Sequence, residues 1–414
     1  MFKYDPGLGS AADPHSRTAY KGTETGTTGD AALLKRTVVR AQARRRWAVV
    51  AVLATVLVTV PAIAAALPSA GTSIDPARLR ALVLGSAGKP YQGLAESSGS
   101  LALPELPNLA DVSALFTSRT TMRAWYAGPD RYRFDTISAA GEHDVYRLPK
   151  TDYTWDGEYT WDYGANMLTE LIGEPTERLP RAGDLLPPEL ARRILEAAPG
   201  DPVTVLGARR VAGVSASGLR LTPADEDTTL GRIDIWADPV TGVAVRVEIT
   251  ARGQQAPVLV SEFQELDQTT PVVNVPVPTP GSGFSVTTAP DIAGALGAVS
   301  QVTLPRTVAG RTVRSSDFGG IQGAALYGDG LAAFAAAALP RDVANAAGDA
   351  AEKAGASTVK LANGTATLLS IPPLSLAIVR STLSRRSFLL VGTVTPSVLE
   401  TAGDELARLR RSFR

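Results

Sequence analysis

Apolar and polar residues alternate with a period of two in several stretches between residues 78 and 267. In "VAVRVEIT", Val243, Val245, Val247 and Ile249 fall on one side, with Arg246 and Glu248 on the other. "RIDIWAD" sets Ile233 and Ile235 against Asp234 and Trp236, and "RYRFD" sets Tyr132 and Phe134 against Arg131, Arg133 and Asp135. That period marks half-buried strands. Asp238-Pro239-Val240-Thr241-Gly242 supplies turn chemistry between two of them. One segment, "LLPPELARRILEAA", changes to the helical period. Leu190, Ile194, Leu195 and Ala198 form a stripe within residues 187–198, and Pro188 sits in the first turn, where its missing N–H costs nothing. Many strands, one helix and short turns predict a mainly β, curved antiparallel half-barrel with a covering helix.

The pattern breaks at 268–283, "QTTPVVNVPVPTPGSG". Pro271, Pro276, Pro278 and Pro280 predict an extended, semi-stiff connector there. Beyond it, residues 284–414 read as a smaller α+β domain. "RDVANAAGDAAEKAG" and "TPSVLETAGDELARLRRSF" are helical in pattern, the second with Thr395 as N-cap and Pro396 at the first helical position. "STVKLA", "TATLLSI" and "SFLLVGTV" are strand-like, with Asn363-Gly364 as the turn between the first two.

Ahead of the strand region lies Trp47–Leu67, 21 residues without a charge. As a helix it spans roughly 30 Å, a bilayer core. Arg44, Arg45 and Arg46 abut its start, with Lys35, Arg36 and Arg40 before them. The positive-inside rule then makes residues 1–46 a disordered cytoplasmic tail, 47–67 a single-pass transmembrane anchor, and the rest extracytoplasmic, joined by a short tether at 68–77. "AIAAALPSAG" also offers small-residue cleavage patterns. The long segment before the apolar run, and the length of the run itself, favour a retained anchor over a cleaved signal peptide.

Composition removes chemistry rather than adding it. Net charge is zero, so nothing steers the chain to nucleic acid. With no Cys and only His15 and His143, thiolate metal sites, disulfides, Cys nucleophiles and multi-His sites are excluded. No phosphate-binding, dinucleotide-binding, nucleophile-elbow or zinc-protease motif occurs, so neither a cofactor nor an enzymatic activity is expected. His143 lies beside Glu142 and Asp144 on a predicted strand and reads as structural. "ADEDTT" (224–229) lacks calcium-loop spacing and reads as a solvated acidic loop.

"YTWDGEYTWDYG" (153–164) interleaves carboxylates with aromatic rings. A three-residue loop Trp155-Asp156-Gly157 would pair Tyr153 with Tyr159. That register places Tyr153, Tyr159, Trp161 and Tyr163 on one face, and Asp152, Glu158 and Asp162 on the other. Acids separated from rings in this way do not make a glycosidase pair. Trp125, Tyr126, Tyr132, Phe134, Tyr146, Trp155 and Trp236 extend the aromatic excess, and a curved sheet of large rings with little to cover it encloses a cavity.

"YAGPDRYRFDT" (126–136), "EHDVYRL", "TDYTWDGEYTWDYGANMLTEL" and "LRLTPADEDTTLGRIDIWADPVTGVAVRVEI" (219–249) resemble the LolA-like lipoprotein carriers, and more closely the RseB/MucB sigma-E regulators. "IQGAALYGDGLAAFAAAAL" (321–339) and "FLLVGTVTPSVLETAGDEL" (388–406) resemble the C-terminal domain of the latter. The resemblance covers about residues 80 to 414, with a weak stretch at 165–215. It implies a half-barrel with an apolar cavity for lipid or lipoprotein acyl chains. It also implies a partner-binding second domain, with an anti-sigma factor or an ABC transporter as the expected partner. An anchored chain cannot shuttle, so the implied role is that of a sensor or fixed acceptor. Trp125, Tyr132, Phe134, Tyr146, Trp161, Ile233 and Ile235 are the expected cavity lining.

Overall fold

The computed structural model describes residues 74–103, 110–138, 141–149, 157–163, 165–172, 180–274, 281–288, 302–314 and 323–409. The expected tail, the Trp47–Leu67 segment, and Tyr153 and Trp155 lie outside them. Among the described residues no helix is long and apolar enough to cross a membrane.

The period-two stretches form an open sheet of twelve strands. In chain order they are β1 (Tyr91–Gly99), β2 (Arg119–Gly128), β3 (Arg131–Ser138), β4 (Gly141–Leu148), β5 (Gly157–Asp162), β6 (Met167–Ile172), β7 (Val203–Val211), β8 (Val214–Leu221), β9 (Leu230–Ala237), β10 (Ala244–Ala251), β11 (Leu259–Asp267) and β12 (Gly283–Thr288). Their spatial order is β12-β6-β5-β4-β3-β2-β1-β11-β10-β9-β8-β7, so the ends do not meet and the barrel stays open. Neighbours run antiparallel except β12, which lies parallel to β6. The start expected for the second domain is therefore the edge strand of the first sheet. The connector folds back before it: Val273 is buried against Tyr146, Tyr159, Trp161 and Leu168 on the convex face.

Tyr159 is paired with Tyr146 on one side and Glu170 on the other. Both edges of β5 are thus taken by β4 and β6, and Tyr153, the expected partner of Tyr159, lies outside the described residues.

Among the described residues three helices, not one, cover the concave face: α1 (Pro76–Leu84), α2 (Ala110–Thr117) and α3 (Pro187–Ala197). α3 forms where its stripe places it. α1 begins in what reads as tether. Asp75 caps it by accepting from the Arg78 N–H at 3.0 Å, and Pro76 occupies the first turn. Such a cap contributes about 1 kcal/mol. Leu79 and Val83, four apart, are fully buried with Leu195, Ile233 and Ile235. The β9–β10 turn touches this helix. Gly242 has φ +76°, and a Cβ there would sit 2.2 Å from the Leu82 carbonyl oxygen, so only glycine fits.

The C-terminal part carries a short ribbon, β13 (Thr307–Val308) with β14 (Arg311–Thr312). Its main sheet comprises β15 (Ala324–Tyr327), β16 (Phe334–Leu339), β17 (Ser357–Leu361), β18 (Gly364–Ile371), β19 (Leu374–Ser381) and β20 (Ser387–Gly392), in the order β15-β16-β20-β19-β18-β17. The β17–β18 loop is Ala362-Asn363, with Leu361 opposite Gly364, one residue earlier than the Asn-Gly signal places it. α4 (Arg341–Lys353) packs on Ile378 and Leu369, while α5 (Pro396–Ala407) packs on Ala377 and Val379. Alternate residues of β19 point to opposite faces, so the two helices sandwich the sheet.

Residues 224–229 are solvated at their acids, with Asp225, Glu226 and Asp227 exposed, yet the loop is also held in place. Asp225 and Asp227 bond Arg311 at 3.1 and 2.9 Å, the Thr229 N–H donates to the Thr393 carbonyl at 2.9 Å, and the Thr395 N–H donates to the Asp227 carbonyl at 2.7 Å. Thr228 Oγ1, on a fully buried residue, donates to the carbonyls of Leu331 and Thr393. The loop clasps the two sheets together, and residues 68–414 form one unit.

Candidate functional site

Between the concave face of β2–β4 and the elements across from it lies a cavity of about 880 Å³. This is within the range of small-molecule sites, roughly 300–1,000 Å³. Cross-strand pairing builds one wall. Tyr126 faces Tyr132 across β2–β3, Phe134 lies two residues on, and Val145 of β4 pairs with Phe134. The three rings stack: Tyr132 on Phe134 at 4.4 Å, Tyr126 on Tyr132 at 6.2 Å and on Phe134 at 6.3 Å. Val112 and Leu115 of α2, with Ala182 and Gly183 of a short turn, close the other side. Gly183 lies so close that a Cβ would stand 2.7 Å from Phe134 Cδ2.

Tyr126 and the arginines of the wall are paired. The Tyr126 hydroxyl donates to the Ala87 carbonyl at 2.6 Å, and burial pushes its pKa up to about 12. Arg192 is bound to Glu189 and reaches Ser86 Oγ at 3.4 Å. Arg181 pairs with Glu158, and Arg193 with Asp184 at 2.8 Å. What remains open to an occupant is chiefly hydrocarbon and ring surface.

Of the expected lining, Tyr132 and Phe134 stand in this wall. Ile233 and Ile235 share the concave face but are buried beneath α1 and α3 in closed core. Trp125, Tyr146 and Trp161 are on the convex face: Trp125 pairs with Arg133, Arg133 with Tyr146, and Trp161 with Asp144. The physical reason is phase. In these strands both faces carry large rings, and the connector covers the convex ones through Val273. Leu115, Val145 and Ala182 also line it, as does Tyr126, which the aromatic excess marks but the expected lining omits. The run Met122, Ala124, Tyr126, apolar at every second position, carries the phase of β2.

The convex rings hold a charged cluster. Arg133 binds Asp135 through two nitrogens at 2.6 and 2.8 Å, Glu142 at 3.1 Å and Asp144 at 2.9 Å, and the Tyr146 hydroxyl donates to Asp144 at 2.9 Å. Its guanidinium lies 4.8 Å from the Trp125 ring centre and 5.1 Å from that of Tyr146. Among the described residues, Asp135, Glu142 and Asp144 alone bring three ligand-type groups together, with atoms within 4.8 Å. The guanidinium already occupies the place a metal would take.

Burial, then the charge of Asp135, pushes the Asp144 carboxyl up to about 8. Its folded pKa is above the unfolded value, so this group's stabilisation is complete below about pH 4 and is lost as pH rises through about 8. The limiting slope for one proton is about 1.4 kcal/mol per pH unit. In Asp144→Asn the amide keeps the shape without the charge. We expect that variant to flatten the pH dependence of urea unfolding between pH 5 and 8, and an unchanged slope would place the titrating group elsewhere.

No protein-family model matches the chain. No curated protein matches it. Among solved structures, it is similar to MucB in complex with MucA(peri), at 16% identity over 79% of this chain and 96% of that one, TM-score 0.43. It is also similar to the MucA/MucB complex of Pseudomonas aeruginosa, at 16% identity, 79% and 96% coverage and TM-score 0.42. A LolA superfamily protein, NE2245 from Nitrosomonas europaea, matches at 11% identity over 47% of this chain and 93% of that one, TM-score 0.20.

Proposed function

We propose that this protein binds apolar ligands of the acyl-chain class, from lipid or lipoprotein, as a tethered sensor or acceptor at the outer face of a membrane. The observation that carries the reading is the cavity of about 880 Å³ with its stacked Tyr126, Tyr132 and Phe134 wall and internally paired charges. Each methylene moved from water into such a site contributes about 0.8 kcal/mol, so an acyl chain binds well without a charged anchor. The tether rests on the sequence of Trp47–Leu67. Native mass spectrometry of residues 68–414, secreted and purified without detergent, tests it. A stoichiometric adduct, extractable into organic solvent, supports the reading. An apo mass that persists after incubation with lipid vesicles removes it.

A second reading is a regulatory module that binds a protein partner such as an anti-sigma factor. It is favoured by the C-terminal sheet, none of whose described residues lines the cavity, yet which is clasped to the first sheet through residues 225–229. Under that reading cavity occupancy biases partner affinity through the clasp. Recovery of a stoichiometric membrane partner with the intact chain, lost in Arg311→Ala, supports it.

A further inference from the structure

Sheet edges invite pairing, and chains guard them with charges, proline or cover. Among the described residues, three of the four edges of the two main sheets are guarded. β7 carries Arg209 and Arg210, β17 carries Lys360, and β15 is bridged by Val313. β12, the terminal strand beside β6, has the sequence Gly-Phe-Ser-Val-Thr-Thr, with neither charge nor proline. Its Phe284 and Val286 are 54% and 53% exposed, and Ile172 on the adjoining strand is 53% exposed. Phe284 and Val286 pair with Leu168 and Glu170, which places both on the convex face. Ser285 points to the concave face, where its hydroxyl meets that of Thr169 at 2.9 Å.

We propose that β12 is a homodimerisation edge, pairing antiparallel with β12 of a second copy about a two-fold axis through Ser285. The register follows from face. In a continuous sheet, residues directly opposite share a face, so the two positions must sum to an even number. Centring on Ser285 sets Phe284 of each copy opposite Val286 of the other, and Ser285 opposite itself. Both exposed apolar side chains then meet as aromatic with β-branched pairs, a favoured cross-strand combination. A shift of one residue sets Phe284 against Thr287, on the opposite face. Repulsion does not oppose the pairing. Among the described residues the nearest like charges, Glu170 and its copy, are three strand spacings apart, about 14 Å, beyond the screening length of about 8 Å at physiological salt. The self-complementary register selects a second copy over an unrelated extended segment.

The chain contains no cysteine, so an introduced thiol is the only one. Directly opposite residues have Cα separations of about 4.5–5.5 Å, within the disulfide range. The intact chain is expressed in membranes in two differently tagged forms, oxidised with copper-phenanthroline and run on non-reducing gels. Ser285→Cys forms a cross-linked dimer containing both tags. Phe284→Cys with Val286→Cys cross-links as a mixed pair, and each alone gives several-fold less. Val205→Cys, exposed on β7, stays monomeric. Adding Phe284→Lys to Ser285→Cys removes the cross-link while tryptophan emission stays native. The proposal is overturned if Ser285→Cys gives no more dimer than Val205→Cys, or if Phe284→Cys alone links as well as the mixed pair. The mixed pair keeps the proposal testable should Ser285→Cys fail to fold. Neither result depends on what fills the cavity.

Discussion

Replacing Arg133 with Met lowers the unfolding free energy by about 3–5 kcal/mol at pH 8, the expected cost of breaking a buried charge network by removing one partner. Among the described residues the guanidinium is the only cation paired with these three carboxylates, two of them essentially inaccessible: Asp135 is 2% exposed and Asp144 0%. Without it, Asp135 and Asp144 lose their charge-assisted bonds, and the flat gap between Trp125 and Tyr146 loses its stacked occupant. The deficit depends on pH in a definite direction. Burial raises both carboxyls and Arg133 holds them down, so its loss moves them further up. At pH 5 they hold protons and part of the loss is recovered, while toward pH 8 and above the charge that remains is unpaired and less is recovered. Urea unfolding followed by tryptophan emission at pH 5 and pH 8 separates the two. Arg119→Met provides the contrast. That arginine is 70% exposed and pairs with Glu96 at 3.2 Å, so its loss costs well under about 1 kcal/mol. Equal small effects for Arg133 and Arg119 would mean that water reaches the cluster and the network is not buried. Arg133→Lys does not rescue, because an ammonium neither forks across Asp135 nor lies flat between two rings.

Periodicity carries β3, β9 and β10 into the structure at their places, and the Leu190–Ile194–Leu195 stripe carries α3. In β10, Val247 is buried while Arg246 and Glu248 are part-buried, so pattern and packing agree; β9 buries Asp234 and Trp236 as well as Ile233 and Ile235, and its phase stays legible because an acid alternates with the isoleucines. Where large rings occupy both faces the pattern loses its sign. β4 and β5 put Tyr146, Tyr159 and Trp161 on the convex side beneath the returning connector, and no local rule says that residues more than a hundred positions later will cover them. The same long-range event hides β12, which reads as the start of the second domain until β6 supplies a partner. α1 was legible in principle, since Asp75-Pro76 with Leu79 and Val83 is a start signal followed by a stripe. The acidic run 224–229 was not. Its role depends on Arg311, which only the folded chain brings within 3.1 Å. For the cavity, two lining residues, Tyr132 and Phe134, follow from strand phase. The opposite wall, from α2 and the turn at Ala182, is set by helix placement that composition does not encode.

Phe134→Asp abolishes retention of an acyl ligand while leaving the sheet folded. Phe134 is half-buried, stacked on Tyr132 at 4.4 Å and lidded by Gly183, so its outer surface belongs to the cavity rather than to closed core. An aspartate there removes hydrocarbon contact of two to three methylene equivalents, about 2 kcal/mol. It also sets a carboxylate against the chain, whose desolvation adds at least about 1–3 kcal/mol. The sum is on the order of 3–5 kcal/mol, a loss of roughly a hundred-fold or more in affinity. Tyr163→Asp is the matched control. It adds the same charge, but at a half-exposed ring beside Trp161, away from the cavity lining, and retention should not change. The measurement is the fraction of folded protein carrying lipid adduct in native spectra, with circular dichroism as the check on the sheet. Equal loss in both variants would trace the effect to general charge or instability. Full retention in Phe134→Asp would remove this wall from the site and with it the acyl-chain reading, leaving the aromatic stack as packing against α2 and α3.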